Sequence, residues 1–152
     1  MDAPLQRLRC AAAALRLDLL PPEGVVAEAA KLVNELPTNR SLAELAGATA
    51  TTEVVTDLLS RALEEEVSSL PSDREAGRIV AREVCRAIVR ADVSPVEGAR
   101  TIWWKVVRRV PELERELGHF VGLASEWEDD SAHRAQYEDD IRRAAAALAE
   151  GA

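Results

Sequence analysis

The residue types best suited to chemistry gather near the C-terminal end. Glu126-Trp127-Glu128-Asp129-Asp130 is followed by His133 and then by Glu138-Asp139-Asp140, so carboxylates crowd around one imidazole. Carboxylates and imidazole are ligands for divalent metals. Asp130 and His133 have the carboxylate-x-x-His spacing of di-iron helical bundles, Asp129 and His133 stand one helical turn apart, and Glu116 with His119 repeats the spacing. A di-iron site, however, needs two such pairs and two further carboxylates on unbroken helices, and a helix break is expected near Asp130. Four carboxylates at a helix C-terminus also oppose the macrodipole, a cost relieved if Asp130 caps the next helix. The cluster therefore reads first as a solvated acidic corner, with Glu126, Glu128, Asp129 and Asp130 available to a partner. No metal or cofactor is expected on that reading. The alternative is a metal-dependent all-α enzyme with Asp129, Asp130 and His133 as ligands.

The most regular charged pattern is a ladder of Arg74, Arg78, Arg82, Arg86 and Arg90, each four residues after the last. A cationic stripe of this kind suits phosphate or an acidic partner. It also suits a water-facing helix side, because Val80, Val84, Ala87, Ile88 and Ala91 occupy an arc almost opposite it. Residues 74–109 hold nine basic and four acidic side chains, and residues 110–140 hold two basic and ten acidic ones. Opposite fields in successive segments place their helices side by side. Arg82 and Arg86 are then expected either to reach carboxylates of the C-terminal helices or to stand in water.

Residues 41–58 resemble a helix-turn-helix, with Ala43 and Gly47 at the usual spacing, and the resemblance implies DNA binding. The segment departs from that pattern on the second helix, which carries Glu53 and Asp57 and no cation before Arg61, so the phosphate contacts are missing. DNA binding is the third reading. The all-α nucleotide pyrophosphohydrolases need Glu-x-x-Glu followed by Glu-x-x-Asp. Glu126 and Asp129 supply the second pair, but no Glu-x-x-Glu occurs in the chain, and that family is rejected. A P-loop, a dinucleotide glycine fingerprint and a nucleophile elbow are also missing.

With 152 residues, 47% hydrophobic and 30% charged, the chain has the length and composition of one globular domain. The expected organisation is a single domain over 1–152, with a subdivision into 1–70 and 71–152 as the alternative. Two cysteines, Cys10 and Cys85, suit neither a disulfide framework nor a zinc site and are expected as buried, reduced thiols of a cytoplasmic protein. No stretch approaches the ~18 apolar residues of a membrane span. The net charge of −8 argues against nucleic acid and favours a basic protein partner.

Hydrophobic periodicity is helical throughout, and the expected fold class is all-α, a compact bundle or array of about eight helices. Leu5, Leu8, Ala12, Leu15 and Leu19 form the first stripe, ended by Pro21-Pro22. Val26, Ala29, Val33 and Leu36 form the second. Ser41 is expected to cap a short helix ending near Gly47. A longer helix carries Val55 to Leu70 and stops at Pro71. Ser72 and Glu75 make a capping box for the ladder helix, and Ser94-Pro95 with Glu97 makes another. Pro111 separates the next two helices, and the last begins at Asp130 or Ser131. Gly118 and Gly122 are expected to allow close helix approach.

The first 102 residues contain no Phe, Trp or Tyr, and all five lie between Trp103 and Tyr137. On a 100° wheel Trp103 joins a buried stripe with Val96, Ala99, Val106 and Val110, while Trp104 lies about 100° away. Trp103, Phe120 and Trp127 are expected to meet in one core. Trp104 is expected to pack against a second helix, or else to be an exposed anchor for a partner. Together these features describe a non-catalytic protein–protein interaction module, such as a bacterial immunity, antitoxin or adaptor-like regulator.

Overall fold

A computed structural model describes residues 2–151. Among them are eight α-helices and no strand, and 77% of the chain is helical, as the periodicity requires. The helices are α1 (Ala3–Arg16), α2 (Pro22–Leu32), α3 (Arg40–Ala46), α4 (Thr52–Glu65), α5 (Asp73–Val89), α6 (Pro95–Thr101), α7 (Glu114–Asp129) and α8 (Arg134–Glu150). A π-helical segment, Ile102–Val107, continues α6, and 3-10 turns at Pro111–Leu113 and Ser131–His133 precede α7 and α8. No described helix is long and apolar enough to cross a membrane. The chain divides into two compact units, Met1–Ala76 and Gly77–Ala152.

In the first unit α3 packs on both α2 and α4, and α1 packs on α2. The core is aliphatic: Leu8, Ala12, Val25, Ala29, Leu32, Leu42, Leu45, Val55, Leu59 and Leu63 are all buried. In the second stripe Ala29 and Leu36 are buried as expected, while Val25 and Leu32 take the places expected of Val26 and Val33. Val25 and Leu32 are buried, and Val26 and Val33 are only half-buried. Both sets have helical spacing, so periodicity alone does not choose between them. The first helix ends at Arg16 and Leu17 is buried beyond it, while Leu19 lies outside the helix.

The cap of α3 is Asn39, not Ser41. Its Oδ1 accepts from the Leu42 N–H at 2.9 Å, and its Nδ2 donates to the Ala62 carbonyl and to Glu66, each at 2.8 Å. Ser41 instead turns to Glu65, whose carboxylate accepts from the N–H groups of Arg40 and Ser41 at 2.9 and 2.8 Å. The Ser41 hydroxyl and those two N–H groups hold the Glu65 carboxyl below its ordinary range. One buried amide thus closes the start of α3 and binds α4, which makes it costly to remove. Helix α4 ends at Glu65, five residues before the expected limit. Val67 adopts a left-handed conformation (φ 56°) and is 97% exposed, with Ser68 N–H bonded back to the Leu63 carbonyl at 2.9 Å. This is a Schellman stop without its usual glycine.

The Ser72–Glu75 capping box at the start of α5 forms reciprocally, with bonds of 3.4 and 3.2 Å. In the second unit α7 packs on α6, the π segment and α8. Ile88, Ala99, Ile102, Val106, Leu113, Leu117, Phe120, Ala124, Ile141 and Ala145 are buried, together with Cys85, whose thiol burial pushes up to about 12. The glycines that permit close approach are Gly77 and Gly98. A Cβ on Gly77 would meet Leu113 Cδ1 at 2.4 Å, and one on Gly98 would meet Ile88 Cγ1 at 2.6 Å. Gly118 and Gly122 do not serve this role: beside Gly118 lies only Glu114 of its own helix, and Gly122 has open space. Gly98→Ala should therefore lower stability by roughly 1–3 kcal/mol through overpacking. Gly122→Ala should raise it, by up to about 1 kcal/mol, through helix propensity. Urea unfolding of the two variants checks the opposite signs, and an unchanged or raised midpoint for Gly98→Ala would contradict the packing described.

Candidate functional site

Ser94 starts α6, its Oγ accepting from the Glu97 N–H at 3.3 Å, with Pro95 in the first turn. The Thr101 hydroxyl donates back to the Glu97 carbonyl at 3.0 Å, a contact that tends to bend a helix. From Ile102 the winding widens, and the Arg108 N–H bonds the Trp103 carbonyl five residues back at 3.1 Å. Such π turns are rare and recur at functional sites.

Across this segment Ile102, Val106 and Val110 are buried, Trp103 is half-buried and Trp104 is 47% exposed. The two indoles stack on each other, centroids 5.0 Å apart and planes 21° apart. The Arg108 guanidinium lies over the Trp104 ring, 4.6 Å from its centroid. Lys105 and Arg108 are exposed. The expectation for Trp103 is corrected, since Ile102 takes the buried place assigned to it. Trp104 stacks on Trp103 and stays 47% exposed. The constant 100° step fails where the α-helix ends at Thr101.

Of the three aromatics expected to share a core, only Phe120 is buried. The His119 ring lies 4.3 Å from it, and burial pushes the His119 pKa below its ordinary value. Trp127 is half-buried in a polar setting. Its indole N–H donates to Glu138 at 3.0 Å, and the guanidiniums of Arg134 and Arg100 lie 4.0 and 5.3 Å from its ring.

Much of the acidic corner is occupied within the unit. Glu128 pairs with Arg100 at 3.0 Å. Asp130 Oδ1 accepts from the Ala132 N–H at 3.2 Å and caps the 3-10 turn before α8. Its Oδ2 accepts from the Tyr137 hydroxyl at 2.8 Å and lies 2.8 Å from His133 Nδ1. Glu126 and Asp129 remain exposed. Asp130 and His133 are brought together and Asp129 ends α7, but among the described residues no group of three or more His, Cys, Asp or Glu is arranged to hold a metal ion.

The ladder splits. Arg78 makes two bonds to Glu116 of α7, the Nε one at 3.0 Å, a cross-helix pair one turn before Arg82. Arg86 bonds Glu83 on its own helix, and Arg90 pairs with Asp92 at 2.9 Å. Arg74 is exposed, and Arg82 is half-buried. With Ala81, Leu117 and Leu148, the residues Arg78, Arg82 and Glu116 line a cleft of about 370 Å³. In the helix-turn-helix-like segment, Glu53 is exposed and Asp57 pairs with Arg61 at 3.2 Å, so the outer side of α4 presents mainly carboxylates.

Lys105 and Arg108 were not singled out by sequence reasoning. The signal was present in the four-residue step from Trp104 to Arg108, which on a helix brings a cation over a ring.

Asp130 and Tyr137 give a pH test of this corner. The Tyr137 hydroxyl, followed by His133, holds the Asp130 carboxyl below its ordinary value, and Asp130 raises the Tyr137 phenol to about 12. The Asp130 contribution to stability is present above about pH 4 and is lost as pH falls through its lowered pKa. The Tyr137 contribution is present below about pH 10 and is lost as pH rises through about 12. Tyr137 is the only tyrosine, so phenolate absorbance reports it alone. Its midpoint should lie near 12 and fall towards about 10 in Asp130→Asn. A wild-type midpoint near about 10 would contradict the hydrogen bond.

No family model, no curated protein and no solved structure matches this chain.

Proposed function

We propose that the chain is a non-catalytic binding module that contacts another protein through Trp104, in the manner of an immunity, antitoxin or adaptor protein. The observation that carries this reading is a tryptophan left 47% exposed, stacked on a second tryptophan and covered on its ring by Arg108. Trp and Arg are the residues most enriched at binding hot spots, where a rigid aromatic surface adds affinity at little entropic cost. The stack holds Trp104 in place before a partner arrives, which reduces the ordering cost of association.

The acidic corner is the weaker candidate for the contact. Glu128 and Asp130 already serve Arg100, Tyr137 and the turn before α8, which leaves Glu126 and Asp129 for a partner.

Trp104→Ala separates an anchor from a core residue. Its unfolding free energy, from thermal or urea unfolding, should change by no more than about 0.5 kcal/mol, the range of surface substitutions. Ile102→Ala should cost about 2–5 kcal/mol. Against a partner purified after in-cell identification, Trp104→Ala should weaken binding by about 2 kcal/mol or more, roughly 30-fold. Undiminished affinity would overturn the reading.

A further inference from the structure

Resting on the reading of Trp104 as a docking residue, we infer that the segment it receives is a short acidic stretch of a partner protein, with a carboxylate bound by Arg108 and an apolar side chain against the part of Trp104 that Trp103 and Arg108 leave exposed. The Arg108 guanidinium lies over the Trp104 ring, 4.6 Å from its centroid, where it can lie flat on the ring. Stacking occupies the flat face of a guanidinium and leaves its N–H edge for in-plane bonds, the geometry that suits a carboxylate held through two oxygens. Lys105, exposed beside Trp104 in the sequence, adds a second cation, and residues 102–110 contain no acidic side chain. The whole chain carries −8, so two exposed cations beside the tryptophan pair stand out on an acidic protein.

The same contrast limits the size of the occupant. A nucleic acid or an anionic membrane extends far beyond one patch, and residues 110–140 of the same unit carry ten carboxylates and two cations that would repel it. A short peptide meets the patch alone. The net charge by itself suggested a basic partner; the charge around the exposed indole reverses that sign.

The test is selection of a displayed random 12-residue peptide library on the purified chain, with removal of every clone that still binds Trp104→Ala. Circular dichroism confirms that the variant is folded. The surviving clones should be enriched at least twofold in Asp and Glu over the starting library. Synthetic versions should lose at least tenfold in affinity to Arg108→Gln. They should lose a comparable amount to Arg108→Lys, which keeps the charge and removes the fork, and binding should weaken as salt rises. A Trp104-dependent set that is neutral or basic would overturn the acidic assignment and leave the docking reading standing. So would a single-stranded oligonucleotide or phosphatidylserine vesicles binding the chain more tightly than any peptide through Trp104. Recovery of no Trp104-dependent clone would overturn both.

Discussion

The distance between α5 and the segment from α6 to Leu113 is set by two missing side chains. Gly98 lies against Ile88 and Val84, and Gly77 lies against Leu113, Val106 and Val110. Helices that meet over glycine approach closely, and the layer between them has room for aliphatic groups but not for an indole. Ile102, Val106 and Val110 fill it. The tryptophans that follow in sequence are turned away from it, and the π winding over Ile102–Val107 carries that change of face. Trp104 stays 47% exposed, stacked on Trp103 outside that aliphatic layer.

Electrostatics follows the same division. The basic half of residues 74–140 meets the acidic half through Arg78–Glu116 and Arg100–Glu128, and Arg100 and Arg134 also lie over Trp127. Pairs this exposed contribute up to about 1 kcal/mol each, so they set register more than stability. They use charges that would otherwise face a partner. Lys105 and Arg108 stand outside that exchange, with Arg108 over the exposed ring, and this supports the proposed binding surface on the π segment over the acidic corner.

Fold class and most helix boundaries were legible in the sequence because they rest on local signals. The Ser72–Glu75 and Ser94 caps, Pro22 at the start of α2 and Pro111 before α7 each act through the nearest backbone. The register of α2 was not legible, since Val25/Leu32 and Val26/Val33 satisfy the same period and only the neighbouring helices choose. Asn39 was passed over for Ser41 because its value lies in a bond to Ala62, far along the chain. The close-approach glycines were misassigned for a similar reason: Gly118 and Gly122 have suggestive spacing, while Gly77 and Gly98 matter through what faces them. Trp104 was singled out from its residue type and its place about 100° off the buried stripe, but the replacement of Trp103 by Ile102 in the core depended on a change of winding that a constant angular step does not contain.

The most direct measurement of the central claim is site-specific photo-crosslinking in the native cell, with a benzophenone amino acid placed at position 105 in one strain and at position 129 in another, leaving Trp104 in place. Both positions are exposed, and they sample the π segment and the acidic corner separately. A discrete protein adduct at position 105, weak or missing at position 129 and lost when Trp104→Ala is added, is the result required by a docking surface built on the tryptophan pair. A strong adduct at 129 with none at 105 would contradict it and move the binding surface to the acidic corner.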